Sequence, residues 1–321
     1  MDNFKTIDQL MSQNYPDQEY IVDRLIPASS ITILSGQSRS FKTYTLLEIA
    51  LAAAKGEPLF GQFNTQKTGV LIIDEENGER LMQKRLKQLH AAEDLPIYIS
   101  SFGGFQLDDS HVEQVTNFCT ENNIGLVIID ALIRVHSADE NSARDMSKVF
   151  RKLRNFTKQD VAVLVTQHHR KMGTMNTGAG NEMRGSSDIL AAVDSHIGVS
   201  RKEKIYLTFT QEKQRYDVEL DPFQVKVSIN EENFSFEYLG IFRRPPEKSA
   251  ILFPSVVDLL TEHKQLRQID LLEKLAEQNV ATNEHDLRKL LNRWVAEKAL
   301  PQPTKGQGNS KYYWLEEQRD E

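Results

Sequence analysis

Gly36, Gln37, Ser38, Arg39, Ser40, Phe41, Lys42 and Thr43 place a lysine and a hydroxyl at the end of a short polar loop. They follow the apolar run Ile31–Leu34 and open a stretch with helical character, Thr43 to Lys55. A strand, a tight loop and a helix start would gather backbone N–H groups and a positive helix end at one point, an arrangement that binds phosphate. The spacing matches the phosphate-loop motif at Gly36, Lys42 and Thr43, with Phe41 standing where that motif has glycine. In such a loop Lys42 reaches the β- and γ-phosphates of a nucleotide and the Thr43 hydroxyl ligates Mg²⁺. The same residues also fit an ordinary strand-to-helix turn with a solvated lysine, so the residues downstream decide.

Those residues recur at the ends of short apolar runs. Val70–Ile73 runs into Asp74, Glu75, Glu76 and Asn77, and Leu126–Ile129 closes on Asp130. Charged groups at the carboxyl ends of buried strands are where open α/β sheets place chemistry. An aspartate after four apolar residues is the Walker B pattern, whose carboxylate holds magnesium through water opposite the phosphate-loop hydroxyl. A turn-capping aspartate would fit the local sequence equally well; the preceding phosphate loop favours the metal role. A third run, Ala162–Thr166, ends in Gln167, His168, His169, Arg170 and Lys171. Adjacent histidines on an extended strand point to opposite faces, which argues against joint metal ligation. Lys213 and Arg215 are one residue apart and share a face if the backbone there is extended, but they also suit a solvated hairpin end.

The elements that must hold these groups alternate along the chain. Residues 46 to 53 are apolar nearly all round, which predicts a buried helix closed by Gly56 and Pro58. Helices are expected from about Gly78 to His90, Asp109 to Asn122 and Ser142 to Thr157, with a strand at Ile97–Ile99. Residues 172 to 183 contain three glycines and no core pattern, so a mobile loop is expected there. A helix opening at Arg184 follows, then strands at 196–200, 205–210 and around Val225 and Phe234, with Gln211–Arg215 between them.

Arg243-Arg244-Pro245-Pro246-Glu247-Lys248 reads as a linker, dividing the chain into residues 1–244 and 245–321. Beyond it come three helical patterns, Phe253–His263, Arg267–Gln278 and Glu284–Lys298. A turn over Thr304–Ser310 then separates Ala299-Leu300 from Tyr312–Leu315. Three helices and a hairpin describe a winged helix, whose third helix carries Lys289 and Arg293 and whose turn carries Lys305 and Lys311. Residues 249–321 hold ten Lys and Arg against twelve Asp and Glu, and winged helices also bind proteins.

At 321 residues the chain exceeds what one core usually supports. A net charge of −7 argues against coating nucleic acid through bulk positive charge, so any such contact must be local. No apolar stretch approaches the ~18 residues of a membrane span. The polar, acidic start without an apolar core segment argues against a secretory signal, and the single Cys119 fits a reducing cytoplasm as a small core residue.

Taken together, the chain resembles the RecA-like hexameric ATPases typified by plasmid replicative helicases. The resemblance covers about residues 18 to 240. It rests on Ile26-Pro27, Gly36–Thr43, Val70–Asn77 with Arg85 downstream, Leu126–Asp130 and Arg184-Gly185-Ser186-Ser187. It implies an α/β fold, a RecA-like P-loop core with a mostly parallel sheet, to which the small winged-helix domain is appended. It makes Glu76, or its neighbour Glu75, the residue that polarises the attacking water, and Asp130 the magnesium aspartate. Gln167 becomes the γ-phosphate sensor, and residues 172–183 the loop projecting into a central channel. Lys213 and Arg215 become a finger reaching a neighbouring subunit's ATP, which requires an oligomer. Single-stranded DNA in the channel would meet Lys171 and Arg184. The expectation is a cytoplasmic, Mg²⁺-dependent ATPase, a ring of six acting on DNA as a helicase or replication motor. The alternative is a nucleotide-gated DNA-binding regulator or loader, with duplex contacts through the winged helix and no unwinding.

Overall fold

The computed structural model describes residues 4–140, 142–168, 191–201, 203–243, 248–306 and 310–315. The chain divides into two compact units, Met1–Arg243 and Arg244–Glu321.

The first unit opens with a short helix, α1 (Ile7–Met11), capped by the Thr6 hydroxyl, which accepts from the Gln9 N–H; none of its residues is buried. A two-stranded ribbon, β1 (Tyr20–Val22) and β2 (Ile26–Pro27), leads into the core. Strands then alternate with helices: β3 (Ile31–Gly36), α2 (Lys42–Lys55), β4 (Gly69–Asp74), α3 (Glu79–Gln88), β5 (Ile97–Ser101), α4 (Asp109–Glu121) and β6 (Ile124–Asp130). A single 3-10 turn, α5 (Ala143–Thr157) and β7 (Ala162–His168) follow. The unit closes with β8 (Ser195–Ser200), β9 (Tyr206–Gln214), β10 (Phe223–Ile229) and β11 (Phe234–Ile241).

β3 to β11 form one sheet in the order β11-β10-β9-β8-β3-β7-β6-β4-β5. From β8 to β5 neighbouring strands are parallel, and β9, β10 and β11 are added antiparallel. The central parallel strands β3, β4, β6 and β7 are largely apolar because both their faces are covered. Leu34, Ile72, Ile128 and Leu164 pack with Leu46, Leu47 and Ala50 of α2, whereas Ile33, Ile73, Ile129 and Val165 pack with Val149, Phe150 and Leu153 of α5. Cys119 lies in the second of these layers, where burial pushes its thiol up to about 12.

Register brings the strand ends together. Asp74 is the partner of Asp130, Ser35 of Gln167, and Gly36 of both His168 and Val199. Gly36 is required by this closeness: a Cβ there would lie 2.5 Å from the Val199 carbonyl oxygen.

Two expectations are corrected in this unit. Residues 206–241 form three strands, and Gln211–Gln214, expected between strands, continue β9. The burial alternation persists through Gln211, and a register shift opposite His196 and Ile197 brings Gln214 inward as well. Both glutamines donate from Nε2 to the Arg24 carbonyl, at 2.7 and 2.8 Å, and Gln211 Oε1 also accepts from the Leu220 N–H.

The second unit contains α6 (Lys248–His263), β12 (Gln265–Arg267), α7 (Gln268–Glu277), α8 (Glu284–Ala296), β13 (Thr304–Lys305) and β14 (Lys311–Trp314). Its three strands form an antiparallel sheet ordered β12-β14-β13. Leu252, Val256 and Leu259 of α6, Leu271 and Leu275 of α7, and Leu287, Leu291 and Trp294 of α8 are spaced by three or four residues and meet in one core with Tyr313. The hairpin differs from expectation: its first arm is Thr304–Lys305, not Ala299-Leu300. Leu300 is buried in the core instead, and Pro301 and Pro303, which lack an N–H, stand before the strand. No helix among the described residues is long and apolar enough to cross a membrane.

Candidate nucleotide site

The carboxyl ends of β3, β4, β6 and β7 supply the site. The loop after Gly36 turns into α2, whose first turn holds no acidic residue and whose N-cap, Phe41, makes no side-chain capping bond. The positive end of the helix is thus left for an anion. Ser40 Oγ donates to the Gln37 carbonyl at 2.8 Å, and Lys42 Nζ bridges the carbonyls of Gly36 and Gln37 at 2.9 and 3.0 Å. The Lys42 ammonium is 6% exposed, and burial draws its pKa below the usual lysine range, opposed by Asp130 and Glu76.

Phe41 takes the left-handed conformation, φ 58° and ψ 27°, that the glycine of the motif adopts freely. Its ring packs edge-on against Tyr44 and Phe234, 6.1 and 5.3 Å between centroids. The substitution therefore keeps the shape of the loop.

Asp130 is 3% exposed and accepts from two hydroxyls, Thr43 Oγ1 at 2.9 Å and Thr166 Oγ1 at 2.6 Å. Burial raises its pKa; the two hydroxyl bonds lower it, and the carboxylates of Glu76 and Asp74 raise it. A buried carboxylate beside a hydroxyl is a hard-oxygen set that suits Mg²⁺. No group of three or more His, Cys, Asp and Glu among the described residues could hold a metal by itself. Thr43 and Asp130 would share such an ion with nucleotide oxygens and water.

Glu75 and Glu76 are separated by their surroundings. Glu75 Oε1 accepts from the Phe105 N–H at 2.9 Å, tying it to the segment after β5. Glu76 lies near enough to Lys42 and Asp130 for its charge to raise the pKa of both. The turn that carries it is held by Asp74, which the sequence alone placed at the strand end without a role. Fully buried Asp74 accepts through Oδ1 from the N–H groups of Glu76 and Asn77 and from Asn77 Nδ2, at 3.1, 2.9 and 3.0 Å. Arg85 then donates to Asn77 Oδ1 at 3.0 Å. Thr166 was equally silent, although its place beside Gln167 at a strand end was a usable signal. Gln167, half-buried, sits beside Ser35 at the mouth of the loop.

Lys213 and Arg215 lie elsewhere. Lys213 is the partner of His196, and the Arg215 N–H donates to the Asp194 carbonyl, which places both at the amino end of β8. Gly36 pairs with Val199 at the opposite end, so neither cation approaches the phosphate loop of its own chain. Arg215 Nη1 is 3.3 Å from Asp194 Oδ1, and Arg154 also holds that fully buried carboxylate, with Nη2 at 3.0 Å. Asp194, an acidic partner of Arg215, lies twenty-one residues upstream. Lys289, Arg293, Lys305 and Lys311 are exposed on the second unit, Arg293 paired with Glu297 at 2.8 Å. Lys171, Arg184 and the expected channel loop lie outside the described residues.

No curated protein matches the chain. A family model described as an AAA domain matches residues 3–174, more than half of the chain. That span takes in the phosphate loop, Glu76, Asp130 and Gln167, and the chain belongs to this AAA domain family of P-loop ATPases.

Proposed function

We propose that the chain is a Mg²⁺-dependent ATPase that works on DNA as a ring of six, in the manner of plasmid replicative helicases, with its second unit a winged helix. The observation that carries this reading is the convergence of Lys42 and Thr43, at the amino end of α2, with Asp130 and Glu76, at and just beyond the carboxyl ends of β6 and β4. Magnesium bound with ATP would neutralise the phosphate oxygens. Lys42 would exchange the Gly36 and Gln37 carbonyls for phosphate, and Thr43 with Asp130 would hold the ion. Glu76 would orient the attacking water, and Gln167 would sense the γ-phosphate. Little else is needed, because phosphoryl transfer depends mostly on positioning and charge.

The position of Lys213 and Arg215 supports sharing between subunits, since they face away from their own loop. The three helices, the short hairpin and exposed Lys289, Lys305 and Lys311 support a nucleic-acid role for the second unit. ATP turnover with and without single-stranded DNA, together with strand displacement, tests the reading. Stimulation with displacement is expected. Binding of duplex without stimulation or unwinding would instead mark a nucleotide-gated regulator.

A further inference from the structure

The phosphate loop contains two residues other than glycine in the left-handed region, Arg39 at φ 68° and Phe41 at φ 58°. Side chains rarely accept that conformation unless their surroundings enforce it. Phe41 is held on one side by Tyr44 and Phe234. On the other side Gln37–Ser40 border an open cavity of about 250 Å³, which Arg201 also lines, although Ser40 itself is buried. One side chain spans the gap. Arg201, at the end of β8, donates from Nη1 to the Arg39 carbonyl at 2.9 Å and lies 4.3 Å from the centre of the Phe41 ring. Its own position is fixed by two more bonds, from Nε and Nη2 to the Lys204 carbonyl at 3.0 and 2.6 Å.

We propose that Arg201 is a positioning residue for the phosphate loop: it clamps the left-handed Arg39–Phe41 turn and so holds a conformation that glycine at position 41 would adopt without strain. The inference rests on residues 36–43 being a nucleotide phosphate loop. A planar guanidinium is suited to the task, because the same group stacks on a ring and donates in its own plane. Clamping keeps the loop N–H groups convergent before nucleotide arrives, so its loss falls on binding rather than on the chemical step.

The test is a double-mutant cycle on the full chain, reading the Kd of Mg²⁺ with a non-hydrolysable ATP analogue and, in parallel, KM and kcat. Arg201→Ala should weaken analogue binding roughly tenfold, about the loss of one charge-assisted hydrogen bond, with kcat at saturation retained. Arg201→Lys, which keeps the charge and loses the fork, should resemble Arg201→Ala. In a Phe41→Gly background the effect of Arg201→Ala should shrink to less than about twofold, because glycine needs no clamp. An equal loss in both backgrounds would mean that Arg201 meets the nucleotide directly, and no loss in either would mean that the loop stands without it; both overturn the proposal. A Lys42→Ala protein that binds the analogue like the parent would instead remove the phosphate-loop assignment itself, an outcome separate from the cycle. Should Arg201→Ala not fold, the Arg201→Lys arm of the cycle decides by the same criteria.

Discussion

Asp130 must be charged to hold a cation yet sits where charge is costly. Burial raises its pKa, and Glu76 and Asp74 raise it further, while the Thr43 and Thr166 hydroxyls favour the ionised form. A carboxyl raised on folding contributes stability below its unfolded pKa, about 3.9, and loses it as pH rises through the folded value. At neutral pH the nucleotide-free protein therefore bears the cost. Asp130→Asn should abolish hydrolysis and, in chelator without nucleotide, stabilise the fold at pH 7 by on the order of 1 kcal/mol. The gain should shrink as pH falls and Asp130 becomes neutral in the parent. Thermal unfolding against pH checks this; an unchanged or lower midpoint at pH 7 would contradict it. At this scale the sequence was informative where residues act in a run. Gly36–Thr43 and Asp130 stand at the ends of apolar runs visible in the sequence, whereas Arg201 and Asp194 matter through contacts across the fold that no local pattern encodes.

The turn after β4 separates two glutamates that sequence left adjacent. Asp74 caps the turn, Glu75 is engaged by the Phe105 N–H, and Glu76 remains to act on Lys42 and Asp130. Glu76→Gln should bind ATP and lose turnover by about a hundredfold or more, the range of general acid–base effects. Glu75→Gln, whose amide oxygen can still accept from Phe105, should lose far less. Measured kcat with nucleotide affinity decides, and the reverse order would shift the assignment by one residue. The strands β3, β4, β6 and β7 were legible because strands buried on both faces read as continuous apolar runs. Gln211–Gln214 escaped that signal, since their burial depends on the Arg24 carbonyl and a register shift. β12 and β13 are too short, at three and two residues, to establish any period.

Across the whole molecule, the nucleotide site and the cation pair occupy opposite ends of one sheet. Such an arrangement makes sense if each chain completes its neighbour's site. Arg215 can leave Asp194 without orphaning that buried carboxylate, because Arg154 continues to pair with it. Arg215 itself is half-exposed, and in leaving it also gives up its bonds to the Ala191 and Val193 carbonyls. An arginine placed on a transferring phosphoryl group accounts for ~10³ to 10⁵ in rate. The most direct test mixes Arg215→Ala protein, which keeps an intact phosphate loop, with Lys42→Ala protein, which keeps an intact finger. Each should be inactive alone, and under verified subunit exchange the mixture should recover part of the parental ATPase rate. Parental turnover by Arg215→Ala alone, or no recovery on mixing, would contradict hydrolysis shared between subunits.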